Sequence, residues 1–253
     1  CELAGATGKP VWKERATGLV RSLLDRQVTG PFAGQSQLRG FFASDGAPFV
    51  HLPNAAVPAL AALSFAELEL ARDDAARVRE ALATYCDGFL APLAARNAYG
   101  IVPWGLWTKS TAAERYRALG GNLVYRYFMP VWSGASWQGA NGHLASHAIV
   151  LALHRKLTGG DAHHVALAYR QLGWILGANP FAASLMSGEG TRNPVPHSRF
   201  VGPLAGGIMN GIAGNLDDAP VLDLRQTQDW RTTEYWSPHV AHAMWAIAAL
   251  ESA

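Results

Sequence analysis

Apolar residues along this chain recur at helical spacing, and the helices they predict are separated by long stretches without any period. Val78, Leu82, Tyr85, Phe89 and Leu93 follow one another at helical intervals over 73–95, which lays them on one stripe. Asp73 and Asp74 suit the start of that helix, where backbone N–H groups have no intrahelical partner. Two more helices are predicted over 11–28 and 139–158, and another over 161–177. This last one opens on Asp161 as N-cap and closes at Gly177, with Pro180 barring continuation. A shorter helix is expected to follow Ser64, with Glu67 completing a capping-box pattern. The final helix runs over 238–251. Ser237 is its expected N-cap, and Pro238 takes the first helical position, where a missing N–H costs nothing.

The stretches between, 29–54, 96–110, 120–138 and 179–236, are rich in Gly, Pro, Trp and Asn. An ordinary connection is about four to six residues, so loops of this length are functional or carry short strands of their own. The helices therefore read as scaffold and the loops as the place to look for chemistry.

Composition narrows the possibilities. Only 16% of the 253 residues are charged and 49% are hydrophobic, which excludes disorder and coiled coil. A formal net charge of +2 without a Lys/Arg cluster leaves no footprint for nucleic acid. No apolar run approaches the length of a membrane span, so none is expected. Two cysteines, Cys1 and Cys86, make neither a disulfide scaffold nor a Cys-based zinc site, though they could pair with each other. A start at Cys1 rather than Met reads as a processed or truncated chain.

Several short segments occur in a telling order. Asn97-Ala98-Tyr99-Gly100-Ile101 comes first, then Trp137-Gln138-Gly139-Ala140-Asn141. Leu176-Gly177-Ala178-Asn179-Pro180 closes a predicted helix, and Ser184, Gly188-Glu189-Gly190 and Pro196-His197-Ser198-Arg199 follow. Gly206-Gly207 and finally Glu234, ahead of the last helix, complete the series. This series resembles the C-terminal part of family 9 glycoside hydrolases, enzymes on an (α/α)6 toroid that cleave β-linked glucans with inversion. The resemblance implies an all-α fold in which residues 1–253 supply roughly the C-terminal half of a single catalytic domain. It implies Glu234 as general acid, and His197 and Arg199 as sugar-holding residues. It also implies a poly- or oligosaccharide substrate and a secreted or periplasmic location. The family's catalytic base lies in an Asp-Ala-Gly-Asp motif that does not occur here. The base is therefore expected from an N-terminal half of the same domain, or from a second chain supplying it. Two departures mark the chain as divergent. The interval from Gly190 to His197 is one residue short of the pattern. Glu234 is followed by Tyr235-Trp236-Ser237-Pro238-His239-Val240-Ala241 where the pattern has x-Ala-Ile-x-x-Asn-Ala.

The residues themselves allow a parallel reading. Inverting hydrolysis needs an acid on the leaving oxygen and a base about 6.5–9.5 Å away to activate water. Glu234 sits among Trp230, Tyr235 and Trp236, whose apolar surroundings favour its protonated form, while the helix start just beyond favours the carboxylate. His197 and Arg199 alternate in an extended, proline-flanked segment and so point the same way. The loop tryptophans Trp104, Trp107, Trp132, Trp137 and Trp230 offer indole faces to pyranose rings, with core burial as the plain alternative. His143 and His147 have the spacing of a zinc pair but lack the Glu of HExxH, so a structural role is expected. No cofactor is expected. Asp217 and Asp218 could offer oxygens to calcium, although solvated turn residues are the default there. Two rival readings stand beside hydrolysis: a non-catalytic carbohydrate-binding protein that has lost the base, and a toroid lyase or isomerase acting on uronate or amino sugars.

Overall fold

The computed structural model describes residues 1–49, 55–110, 115–130, 139–159, 162–197, 203–225 and 230–252. Its elements in chain order are helices α1 (Glu2–Thr7), α2 (Pro10–Leu24), α3 (Val57–Glu67), α4 (Arg72–Tyr85), α5 (Ala91–Ala94), α6 (Asn141–Thr158), α7 (Ala162–Ile175), α8 (Trp230–Thr233) and α9 (Ser237–Glu251). A π-helical turn, Cys86–Leu90, joins α4 to α5.

The core is organised around α6. Every residue from Asn141 to His154 is buried, so this helix is covered on all sides rather than along one stripe. It packs against α7 and α9 along its length and against α3 and α4 at the side. Its end is set by Gly159 in the left-handed conformation, which closes the last turn onto Arg155 O. Among the described residues no helix is long and apolar enough to cross a membrane.

Most predicted helices appear with shifted ends, and each shift has a local cause. The stripe over 73–95 is buried as expected at Val78, Leu82, Tyr85 and Leu93, but the helix carries the π turn in its middle. Pro92 has no N–H for the carbonyl four residues back, Gly88 O, and that carbonyl accepts Arg39 N–H instead at 3.2 Å. The predicted helix over 11–28 stops at Leu24, because Val28 N donates to Phe41 O and the chain turns to pair with the following loop. The helix expected to begin after Ser64 instead begins at Val57 and ends at Glu67. Pro58 starts α3 near Val57, and Ser64 lies inside it with its carbonyl accepting Leu68 N–H. Asp161, expected as a cap, lies outside the described residues.

The long loops carry short strands of their own, one of the two outcomes expected of connections that long. Strands β1 (Ala43–Ser44) and β2 (Ala47–Pro48) form a small hairpin. Strands β3 (Gly105–Thr108), β4 (Arg117–Gly120) and β5 (Leu123–Arg126) form an antiparallel sheet of order β3-β5-β4. A third sheet has β6 (Met129–Pro130) parallel to β7 (Ala213–Gly214), which pairs antiparallel with β8 (Pro220–Val221). These pieces are too short to form a layer of their own; they knit the loops at the edges of the helical core.

Asp218, in the turn between β7 and β8, is not the solvated turn residue the sequence suggested. Its side chain is 1% exposed and accepts N–H bonds from Tyr127 and Phe128 at 3.0–3.1 Å and from Arg117 Nε at 2.6 Å. The fully buried Arg126 guanidinium lies 3.6 Å away and donates to Phe128 O, Arg115 O and Asn215 O. The Asp218 carboxylate oxygens are thus engaged by arginine and backbone donors. Among the described residues no group of three or more His, Cys, Asp or Glu is placed to hold a metal ion. Cys1 and Cys86 are both free thiols, Cys86 fully buried.

Candidate active site

The segment leading into α9 is held by backbone bonds from three separate loops. One helical turn, α8, ends with Glu234 N–H donating to Trp230 O at 3.1 Å. The last carbonyls of a helix have no partner inside it and must find donors elsewhere. Here four in succession are met from outside. Arg231 O accepts from Gly139 N–H, Thr232 O from Gly211 N–H, Thr233 O from His197 N–H and Glu234 O from Asn210 N–H, all at 2.9–3.1 Å. Trp230 O accepts a further bond from the Asn210 amide at 2.7 Å. The next residue, Tyr235, pairs with Met209 as an isolated antiparallel bridge, so the chain is extended through Trp236. This is why α9 takes Trp236, not Ser237, as its N-cap.

The buried end of α6 anchors the assembly. Asn141, fully buried, receives Asn210 O on its own N–H at 3.0 Å and gives its side-chain amide to Met209 O at 2.9 Å. Gly211 permits the close approach. Its φ is +127°, and a Cβ there would sit 2.9 Å from Ala140 N and Asn141 Oδ1.

The loop bearing His197 is built with equal economy. Asn179 caps the end of α7: its amide donates to Trp174 O and Ala183 O, while its oxygen accepts Phe181 N–H and Ala183 N–H. Asn193 donates to the carbonyls of Ser184, Met186 and Glu189 and so gathers the Gly188-Glu189-Gly190 turn. Gly190, at φ +72°, brings that turn against Ser184, where a Cβ would lie 2.9 Å from the Ser184 Cβ. The Leu-Gly-x-Asn-Pro and Gly-x-Gly segments are therefore the framework that delivers His197, half-buried, to Thr233 O.

Glu234 is half-buried, and its Oε2 accepts the Trp236 indole Nε1–H at 2.7 Å. Trp236 is 37% exposed. The Tyr235 hydroxyl accepts Leu204 N–H, and its ring rests on Gly207, where a Cβ would lie 2.9 Å from the ring carbons. Trp230 is half-buried, with the Arg231 guanidinium over its ring. On the first turn of α9, His239 is fully buried; burial, reinforced by neighbouring His242, pushes it down to about 3, so it is neutral.

The structure thus brings Glu234, Trp230, Tyr235 and Trp236 together with the backbone of His197. Arg199 and Trp137 lie outside the described residues, as does Trp132. Trp104 is 3% exposed, which makes it a wall rather than an open platform. It packs against Trp107 and lines an aromatic hollow with Phe41, Tyr85, His143 and His147, and Glu234 is not among the residues lining that hollow. His147 is a core residue as expected: Nδ1–H donates to His143 O, and Nε2 accepts the Tyr85 hydroxyl.

Sequence reasoning passed over Asn210, which together with Asn141 of the Trp137–Asn141 segment fixes the backbone on which Glu234 stands. Nothing in the immediate sequence of Asn210 distinguishes it from a surface amide. The Glu234–Trp236 bond was open to the alternation argument already applied to His197 and Arg199, since residues two apart in an extended chain share a face.

Two solved structures of the cellulase Cel9M of C. cellulolyticum, one of them in complex with cellobiose, are similar to this chain at 17% identity, with TM-scores of 0.49 and 0.48. Each alignment covers 78% of this chain and 40% of the cellulase chain, so the chain spans well under half the length of those cellulases. No family model and no curated protein matches the sequence.

Proposed function

We propose that this chain carries the general acid of a glycoside hydrolase that cleaves β-glycosidic bonds of a poly- or oligosaccharide with inversion. The observation that carries the reading is the convergence at residues 231–234. The one carboxylate that sequence marks as an acid stands on a backbone pinned by the loops of His197 and Asn210 and by the buried end of α6. Catalysis of this kind rests on holding reacting groups in place, and a carboxyl on a fully bonded backbone is held. Glu234 protonates the departing oxygen. His197 and Arg199 donate to sugar hydroxyls, and Trp230, Tyr235 and Trp236, with Trp137, shape the cleft around the ring.

The base that activates water comes from outside residues 1–253, from the N-terminal half of the same domain or a second chain. The outer face of α9 supports this. Met244, Trp245 and Ile247 are 67%, 41% and 37% exposed, on a helix whose only ionised side chain is Glu251. A helix apolar all round is one that other helices cover. The substrate is a β-linked poly- or oligosaccharide, and the protein works outside the cytoplasm.

The test is Glu234→Gln in the assembled enzyme. Turnover on polysaccharide falls at least ~10²-fold, the lower end for loss of a general acid, and proton NMR of the product shows inverted anomeric configuration. Near wild-type turnover in that variant sinks the reading. Binding of oligosaccharide without release of reducing ends would instead identify a carbohydrate-binding protein.

A further inference from the structure

We infer that Trp236 is a positioning residue that decides which oxygen of Glu234 carries the proton; the inference rests on the acid role given to Glu234 above. The indole Nε1–H donates to Glu234 Oε2 at 2.7 Å, at the short end of the range for N–H···O bonds. An indole nitrogen can only donate, never accept, so the oxygen facing it must be an acceptor in every protonation state. In a neutral carboxyl one oxygen is carbonyl-like and the other holds the hydrogen. The carbonyl-like oxygen is much the stronger acceptor, so with Oε2 committed to the indole the hydrogen is placed on Oε1.

The consequence for the reaction is direct. As the glycosidic C–O bond breaks, its electron pair goes to the leaving oxygen, and the proton passes to that oxygen from Oε1. The negative charge left on the carboxylate spreads onto Oε2, where the indole N–H already waits. That bond strengthens as charge develops, so it stabilises the transition state more than the ground state. The proton released from the attacking water goes to the base, and Glu234 regains its own from solvent.

Local structure keeps the pair together. Glu234 and Trp236 flank Tyr235, whose backbone is bridged to Met209, so both side chains leave the extended segment on one face. Trp236 is pinned on its far side as well, its carbonyl accepting His239 N–H and Val240 N–H at the start of α9. The donor lies in the stretch after Glu234 where this chain departs from the pattern it resembles, so it is a property of this sequence.

Indole NMR and kinetics test this together. In the chain itself, Trp236→Phe assigns the Trp236 Nε1–H resonance, and Glu234→Gln then shifts it further than any other indole. An unmoved resonance overturns the pairing. In the assembled enzyme acting on cellotetraose, Trp236→Phe keeps the ring and removes the donor. The expected result is a fall in kcat of about 10-fold with KM within about twofold, the scale for losing a hydrogen bond to a charged group. An unchanged kcat, or a loss carried wholly by KM, overturns the inference and leaves the hydrolase reading intact. Full turnover by Glu234→Gln removes the acid role and the inference with it, whatever the indole resonance does.

Discussion

Replacing Asp218 by Ala removes the only carboxylate paired with a buried guanidinium among the described residues. Arg126 is 0% exposed and burial pulls its guanidinium below the usual range, an effect that Asp218 opposes. In the variant that charge keeps its bonds to backbone carbonyls but loses its counter-ion, and the N–H groups of Tyr127 and Phe128 lose their acceptor. Arg117, 43% exposed, turns to water and contributes little to the loss. Breaking a buried ion pair from one side costs about 3–5 kcal/mol, so Asp218→Ala should lose about 4 kcal/mol. That is a large share of the roughly 5–15 kcal/mol that holds a domain folded. Urea unfolding followed by tryptophan fluorescence measures it, with the slope on urea checked for constancy. Arg126→Met in the Asp218→Ala background removes the stranded charge and should restore at least about half the loss. A loss below ~1 kcal/mol for Asp218→Ala, or two single losses that simply add, would falsify the account of a coupled buried pair.

The remaining predictions concern pH, metal and backbone. His147 is fully buried and neutral, held at about 4 by desolvation against an ordinary 6.5. Because the folded value is the lower one, its contribution is complete above about pH 6.5 and is lost as pH falls toward 4, about 3 kcal/mol in all. His147→Phe should lose correspondingly less stability between pH 7 and pH 4, whereas parallel profiles would place the acid sensitivity elsewhere. EDTA should leave the thermal midpoint unchanged, since arginine and backbone donors occupy Asp218; a drop reversed by calcium would put a cation at that turn. Gly211→Ala forces a side chain into a left-handed φ and against Asn141. It should cost more than about 1 kcal/mol, read by the same urea assay, and a neutral result would mean the 209–211 loop is not pinned to α6.

Much of the scaffold was legible because helical burial writes a period into the chain. The Val78–Leu93 stripe and the Gly177 stop after α7 are both local signals. Ser64 shows where local signals mislead: its capping-box pattern is genuine as a pattern, but Pro58 and an unbroken apolar run start the helix earlier. Pro92 was equally visible, yet its effect needed the Arg39 N–H that takes the carbonyl it abandons. Motif order singled out Glu234 and His197, and the fold joins their segments through the His197 N–H bond to Thr233 O. Asn210, which bonds both Trp230 and Glu234, was not singled out, because its importance comes from residues 20 or more positions away.

The sequence by itself determined a helical scaffold joined by long loops, and it determined the glycines and the Asn-Pro turn that bend those loops. These are consequences of backbone sterics and burial periodicity, which act over a few residues. Tertiary structure alone decided that the four carbonyls after Trp230 find donors in three distant loops, that Asp218 faces arginine rather than water, and that Trp104 is a wall instead of a platform. It also decided that the indole of Trp236 takes one oxygen of Glu234. Each of these depends on what lies across the fold, since a polar group's role is set by the partner that satisfies it, and the chain order does not record that partner.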